Sequence, residues 1–101
     1  MWIVAMFDLP VDTKAARKAY ARFRKRLLKD GFTRMQFSVY IRHCASEENA
    51  GVHVKRVEMA VPDDGEVRLL AITDKQFERM RIFWGKRRTP PDPTPAQLEL
   101  F

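Results

Sequence analysis

The sequence contains too little cysteine for a disulfide or a thiolate zinc site. Its 101 residues include one cysteine, Cys44, which excludes an intramolecular disulfide and a zinc site built on several thiolates. No run approaches the roughly 18 apolar residues of a membrane span. Residues 1–10 lack the basic leader of a signal peptide, and there is no glycine-rich phosphate loop. We therefore expect one compact cytoplasmic domain without a membrane partner.

Acidic residues are nearly missing from one segment of the chain. Over the whole sequence, 19 Lys and Arg outnumber 13 Asp and Glu, which gives a net charge of +6. Between Lys14 and Arg34 there are nine basic residues and only one acid, Asp30, so this segment alone carries +8. Such an imbalance indicates a polyanionic partner, although composition alone does not distinguish DNA, RNA and an acidic membrane.

Apolar periodicity predicts an alternation of strands and helices. Apolar and β-branched runs predict strands over residues 2–7, 32–42 (two strands joined by a bend near Gln36), 66–72 and 80–84. Apolar residues at helical spacing predict one helix before Gly31 and a second one after Ser46. The order β-α-β-β-α-β plus one strand predicts an α+β fold, a ferredoxin-like sandwich with an extra C-terminal strand.

The helix starts have recognisable capping residues. Asp12 or Thr13 can cap the first helix, and Ser46 can cap the second helix. Thr73 and Gln76 have the spacing of a capping box and predict a short helical turn.

Proline marks a change of composition near the end of the sequence. Residues 89–96 read TPPDPTPA and contain four prolines, which disfavour both helix and paired strand. We divide the chain into a ferredoxin-like domain (residues 1–85), a basic and proline-rich linker (86–96) and an apolar docking tail (97–101). The tail residues predicted to contact a partner are Leu98, Leu100 and Phe101.

Asp8 is the candidate catalytic and metal-binding residue. It follows a buried strand, and a carboxylate there can bind Mg²⁺. The alternative is a turn-forming Asp before Leu9 and Pro10. One carboxylate per chain is a poor magnesium site, so the metal hypothesis carries with it a two-fold dimer that brings two copies of Asp8 together.

The first predicted helix is the candidate nucleic-acid interface. Its basic residues lie away from the apolar stripe and have almost no acidic neighbours, so phosphate contact is favoured over an ordinary solvated face. The candidate nucleic-acid-binding residues are Lys14, Arg17, Lys18, Arg22, Arg24 and Lys25.

Other residues carry weaker signals. Phe37 and Tyr40 can stack on bases, but aromatic residues in strands are more often core. The adjacent His43 and Cys44, and His53, match neither a metal-ligand spacing nor a Cys–His nucleophile pair.

Five short motifs, taken together, resemble the Cas2 family, the small CRISPR-associated adaptation protein. They lie within residues 1–85 and comprise residues 6–10 (MFDLP), 17–20 (RKAY), 31–32 (GF), 36–40 (QFSVY) and 73–77 (TDKQF). The first and last motifs resemble members from systems whose effector is a single large RNA-guided nuclease.

The resemblance implies a ferredoxin-like homodimer that lies between two dimers of the CRISPR integrase and helps to insert short DNA duplexes as new spacers. It also implies Mg²⁺-dependent hydrolysis of RNA or DNA, with the metal at Asp8 and shared across the dimer. Many members have Tyr before this aspartate, whereas this chain has Phe7, so a hydroxyl is missing there.

Two functions are therefore compared. The first is an adaptation subunit with metal-dependent nuclease activity, and the second is a stand-alone toxin-like endoribonuclease or RNA-binding module. For the tail, integrase docking is the leading assignment. Residues 97–101 (QLELF) also resemble the pentapeptide that binds the replication sliding clamp, and the third alternative is a tail that covers its own dimer.

Overall fold

The computed structural model describes residues 1–86, which form a four-stranded sheet and three helices. The linker and the docking tail, apart from Lys86, lie outside the described residues. The elements in chain order are β1 (Trp2–Asp8), α1 (Lys14–Lys29), β2 (Thr33–Gln36), β3 (Val39–His43), α2 (Glu47–Ala60), β4 (Glu66–Ile72) and α3 (Asp74–Glu78).

β1 lies in the middle of the sheet. The strand order is β2-β3-β1-β4, and every neighbouring pair is antiparallel. This order and the β-α-β-β-α-β sequence of elements confirm the predicted ferredoxin-like α+β fold. β1 is hydrogen bonded on both edges; its pairing with β3 ends at Met6, whereas its pairing with β4 continues to Asp8.

The core fills the space between one face of the sheet and the helices α1 and α2. Alternate residues of β1 point into it, since side chains on a strand alternate between the two faces. On α1, Phe23 and Leu27 are each 1% exposed, which agrees with the apolar stripe in the sequence. The core residues are Ile3, Ala5, Phe7, Leu9, Phe23, Leu27, Phe32, Tyr40, Cys44, Ala50 and Val57.

The opposite face of the sheet is only partly covered. The indole ring of Trp2 stacks on Phe77 of α3 with ring centroids 4.1 Å apart. Val4 is buried, but Leu70, directly opposite Val4 on β4, is 52% exposed. The described residues therefore leave an apolar part of this face open near the β4 edge.

The three helices begin at side-chain caps formed by residues that the sequence predicts for this role. The Thr13 hydroxyl accepts a hydrogen bond from the backbone N–H of Ala16, and the Ser46 hydroxyl accepts one from Asn49. Thr73 and Gln76 form the complete capping box at the start of α3. Of the two cap candidates for α1, Thr13 is the residue used.

A half-buried carboxylate, that of Asp30, joins the end of α1 to α2. Asp30 Oδ2 lies 2.7 Å from Nδ1 of His53, and Arg56 donates to Asp30 Oδ1 at 2.9 Å. Arg42 of β3 donates to the Asp30 backbone carbonyl at 2.8 Å. Burial alone would raise the pKa of Asp30, but the hydrogen bonds and charges of His53 and Arg56 outweigh burial and lower it.

The predicted strand over residues 80–84 does not form. α3 ends at Glu78, and in the chain that follows Met80 bonds back to the carbonyl of Phe77 instead of entering the sheet. A strand needs a neighbour for its backbone groups, and this segment pairs with neither edge of the described sheet. Its apolar side chains therefore remain in solvent, with Ile82 65% and Phe83 81% exposed.

None of the helices within residues 1–86 has the length and apolar character needed to cross a membrane.

Candidate functional site

Asp8 is the last residue of β1, and its side chain is exposed to solvent. Among residues 1–86, no side chain or backbone group forms a hydrogen bond or an ion pair with its carboxylate. The turn-forming alternative would have used this carboxylate to accept nearby backbone N–H groups. The described structure instead presents it to solvent, where it is available to an external cation or hydrogen-bond donor.

A second carboxylate lies directly opposite Asp8. In the antiparallel pairing of β1 with β4, Asp8 faces Glu66, and the next residue pair on the same face is Met6 with Arg68. Arg68 Nε donates to Glu66 Oε1 at 2.9 Å. Arg68 thus compensates the charge of Glu66, while that of Asp8 is left uncompensated. Neither Glu66 nor Arg68 could be placed here from the sequence, because only the strand register brings them beside Asp8.

Gly65 packs closely against the backbone of Asp8. Its φ is +96°, and a Cβ at this position would lie 2.8 Å from the carbonyl oxygen of Asp8 and 2.7 Å from Leu9 Cδ2. Only glycine fits both the left-handed backbone and this close approach. The turn before β4 therefore packs on the backbone that carries the candidate carboxylate.

The side chain of Phe7 lies on the opposite face of the sheet from Asp8. Its ring is buried and contacts the rings of Tyr20, Phe23 and Tyr40, with centroids 5.1–5.9 Å apart. A tyrosine at position 7 would also extend from the core face of β1, so its hydroxyl would lie on that side of the sheet. The missing hydroxyl is a change in the core and not, as the resemblance implied, a change beside Asp8.

The β2–β3 turn approaches the same end of β1. The backbone N–H of Phe7 donates to the carbonyl of Ser38 at 3.0 Å. Ser38 has a φ of 63°, and its neighbour Phe37 is 73% exposed. Of the two aromatic residues considered for base stacking, Tyr40 belongs to the core, and burial raises its pKa. Only Phe37 remains available to a ligand.

The six candidate nucleic-acid-binding residues are all on α1, but they differ in exposure. Arg24 is half-buried, and its charge acts on the Tyr40 hydroxyl. Arg17 donates to the carbonyl of Val11 at 3.1 Å. The exposed members are Lys14, Arg17, Lys18, Arg22 and Lys25. The helix therefore presents a cationic face to solvent. Arg24 is less accessible to a ligand than the other five candidate residues.

The histidines and the cysteine have structural partners. His53 is buried against Asp30, and Cys44 is 1% exposed. His43 Nε2 lies 3.3 Å from Asp74, whose pKa is lowered chiefly by a hydrogen bond from the N-terminal amino group. Within residues 1–86 no group of three or more His, Cys, Asp or Glu side chains is arranged to hold a metal ion. A metal at Asp8 therefore needs ligands from water, substrate or a second chain.

The predicted docking residues Leu98, Leu100 and Phe101 lie outside the described residues, and their assignment stays a prediction.

The strand order and the two covering helices define a ferredoxin-like α+β protein, a class whose members have many unrelated functions. The family model described as CRISPR associated protein Cas2 matches residues 1–80 of this chain. The chain therefore belongs to the Cas2 family, and the resemblance drawn from its five motifs is confirmed.

Similar proteins agree with this assignment. A protein of Parvibaculum lavamentivorans named CRISPR-associated endoribonuclease Cas2 is 65% identical over 101 residues, which cover the whole of both chains. A protein of the same name from Flavobacterium psychrophilum is 50% identical and aligns over all of this chain and 88% of its own length. The crystal structure of Streptococcus pyogenes Cas2 at pH 6.5 is 19% identical and matches with a TM-score of 0.63, covering 83% of this chain and 100% of that one. The last comparison supports the fold.

Proposed function

We propose that this chain is a CRISPR adaptation subunit that holds the CRISPR integrase on duplex DNA during spacer acquisition, and that it can hydrolyse phosphodiester bonds with Mg²⁺. The observation that carries the scaffold role is the cationic face of α1, with seven exposed basic residues, five of them among the six candidates, on one helix of a Cas2-family domain. Because the proposed function acts on a CRISPR array, we expect the protein to be cytoplasmic.

The α1 face suits the backbone of a duplex. The +6 charge of one chain becomes twice that, +12, in a dimer. Lys and Arg side chains that neutralise phosphates release counterions, so binding of this kind depends strongly on salt and weakly on sequence. We expect the two α1 helices of a dimer to follow phosphates over a fixed length of DNA.

A homodimer is proposed because apolar surface is left open along one side of the sheet. Leu70 on β4 is 52% exposed, and the exposed segment 80–84 follows α3 in the chain. β4 pairs with β1 on one edge, and within the described residues its other edge is unpaired. A second copy of the chain, packed by two-fold symmetry, would cover these groups.

Asp8 is the residue proposed to hold Mg²⁺. Its exposed carboxylate oxygens are hard ligands of the kind that Mg²⁺ prefers, whereas Glu66 is engaged by Arg68. Since one chain offers only one uncommitted carboxylate here, we propose that the two Asp8 residues of a dimer share the ion. Bound Mg²⁺ polarises a phosphate oxygen and lowers the pKa of a bound water.

The test of the hydrolytic role is the Asp8→Asn variant. Asn keeps the size of the side chain and removes its charge, so Mg²⁺-dependent hydrolysis of RNA and DNA should fall to background. The matched control is Asp63→Asn, which removes an exposed carboxylate from the nearby turn before β4. Equal rates for Asp8→Asn and the parent would disprove the catalytic assignment without affecting the scaffold role.

The test of the DNA interface is charge reversal on α1. Reversing Lys14, Lys18 and Arg22 to Glu should weaken binding to duplexes of any sequence, and each lost phosphate contact should reduce the log–log salt slope by about 0.9.

The control carries the same change in net charge at exposed positions away from α1: Lys55→Glu, Lys75→Glu and Arg79→Glu. If both triple variants lose the same affinity, overall charge rather than the α1 face attracts DNA.

The docking tail is assigned to the integrase, on the basis of the proline-rich linker and the apolar residues 97–101. Deleting residues 97–101 should abolish co-purification with the integrase. Loss of sliding-clamp binding alone would instead support the clamp assignment. A lower dimer melting temperature with both partners retained would support a tail that covers its own dimer.

The second candidate is a stand-alone toxin-like endoribonuclease or RNA-binding module; the names of the similar proteins agree with its endoribonuclease activity but describe those proteins as CRISPR-associated. RNA cleavage by the purified dimer, without integrase binding or duplex affinity, would select this alternative. A CRISPR array and an integrase gene beside the coding sequence would select the adaptation role.

A further inference from the structure

The turn between β2 and β3 holds an aromatic ring in solvent. Phe37 is 73% exposed, an unusual position for a side chain of this size. The guanidinium carbon of Arg34 lies 5.2 Å from the centre of its ring. On the other element nearby, the ring of Tyr20 is inclined by 23° to that of Phe37, with centroids 6.5 Å apart. The ring is thus supported by two neighbours and still open over most of its surface.

The backbone of this turn is strained and held in place. Ser38 has a φ of 63°, which is uncommon for any residue with a Cβ. Its carbonyl accepts a hydrogen bond from Phe7, and its hydroxyl lies 3.4 Å from the hydroxyl of Tyr20. A register irregularity between Arg34 and Gln36 also changes the pairing just before the turn. Strain of this kind persists where the surrounding structure fixes it, and bulges often redirect a side chain.

The same contacts join this turn to the end of β1 that carries the candidate catalytic residue. Ser38 adjoins Phe37, and its hydrogen-bond partner Phe7 immediately precedes Asp8. The turn and the end of β1 are therefore joined by a 3.0 Å hydrogen bond. Phe37 and Asp8 therefore lie at the same end of the sheet, with the ring near Tyr20 on the side of α1 and the Asp8 side chain on the opposite face.

From this arrangement we propose that Phe37 and Arg34 bind one unpaired nucleobase by stacking, and so hold a single-stranded segment at the end of the sheet that carries Asp8. An aromatic face stacks on any base, and a guanidinium beside it attracts both the ring and the nucleic-acid charge. The surrounding charge favours a nucleic acid over an apolar peptide, since Arg34 belongs to the +8 segment of the sequence. The inference rests on the proposed function and defines its substrate as nucleic acid with an unpaired base.

The experiment measures binding without hydrolysis. The probes are an RNA and a DNA hairpin with a single-stranded 3′ extension that carries 2-aminopurine, whose fluorescence falls on stacking, and a blunt duplex of the same length. All titrations contain EDTA, so that binding does not depend on Mg²⁺ or on cleavage. Phe37→Ala should lower the affinity for the extended probes by roughly fivefold to a hundredfold and abolish the quenching. Affinity for the blunt duplex should be unchanged.

Matched variants separate stacking from general apolar contact. Phe37→Trp should keep the affinity and the quenching, whereas Phe37→Leu should behave like Phe37→Ala. Met59→Ala removes another exposed apolar side chain, 86% exposed on α2, and should change nothing. The proposal is overturned if Phe37→Ala binds the extended probes like the parent, if Phe37→Leu restores binding, or if the blunt duplex is weakened equally.

Two further outcomes keep this inference distinct from the proposed hydrolysis. Loss of integrase binding by Phe37→Ala, with the quenching intact, would assign the ring to a protein interface and refute base stacking. In the Asp8→Asn variant the quenching should persist. Quenching in a protein that hydrolyses nothing would therefore support the stacking site while the hydrolytic role fails.

Discussion

The Gly65→Ala substitution tests how tightly the turn before β4 is packed against Asp8. The φ of +96° is strained for alanine, and a residue forced into such a sparsely populated region costs about 1–3 kcal/mol. The new Cβ would also lie 2.8 Å from the carbonyl oxygen of Asp8. Because this neighbour is backbone, it cannot rotate away, and the end of β1 must shift.

We therefore expect Gly65→Ala to lower the free energy of unfolding by at least about 2 kcal/mol. For a domain of this size each 1 kcal/mol changes Tm by about 4–8 °C, so the loss corresponds to about 8–16 °C. Urea and thermal unfolding followed by circular dichroism measure both quantities. All variants must be compared at one protein concentration, because the Tm of an associating chain depends on it.

Gly51→Ala provides the matched control, because the chemical change is identical and the site is not. Gly51 lies inside α2, and apart from its chain neighbours and the backbone of its own helix no atom lies within 4 Å of a Cβ placed there. Alanine is favoured over glycine in a helix interior by about 0.8–1.0 kcal/mol, so this variant should gain stability. Changes of the same sign at Gly65 and Gly51 would refute the proposed contact between the turn and Asp8.

Three further predictions concern the core, the half-buried carboxylate of Asp30 and a helix cap. Phe23→Ala should cost about 3–5 kcal/mol of unfolding free energy, measured by urea denaturation, because it empties a fully buried site. The lowered pKa of Asp30 means that its stabilising contribution is present above about pH 4 and is lost as the pH falls further. The stability difference between parent and Asp30→Asn should accordingly be largest near neutral pH and shrink in acid, and a constant difference would contradict this. Thr73→Ala should cost about 0.5–2 kcal/mol, whereas Thr73→Ser should be nearly neutral in the same assay.

The features that sequence predicted correctly depend on neighbours in the chain. A capping hydroxyl acts on a backbone N–H three residues later, so Thr13, Ser46 and Thr73 could be identified from spacing alone. The apolar stripe of α1 follows from helical periodicity in the same way. Asp8 could be placed at the end of β1 because a polar residue and a proline follow a continuous apolar run.

The features that sequence missed depend on pairing between distant segments. Glu66 lies opposite Asp8 only because of the β1–β4 register, and a shift of one residue would place it on the other face. Residues 80–84 have the composition of a strand, but composition does not supply a neighbour to pair with. The exposure of Phe37 likewise follows from the turn at Ser38. The positive φ of Ser38 could not be predicted from the residue types in residues 36–40 (QFSVY).

The central position of β1 in the sheet also has a consequence for synthesis on the ribosome. β1 is made first, but its partner strand β4 begins only at Glu66. At about 5–20 residues per second, the roughly 60 residues between them take about 3–12 s. β3 is available earlier, so the nascent chain can pair one edge of β1 while the other edge stays open. During those seconds an apolar, unpaired strand edge is exposed, and such edges recruit other chains. Slower elongation or crowded translation of this message should therefore increase its aggregation, even though the finished fold covers the edge completely.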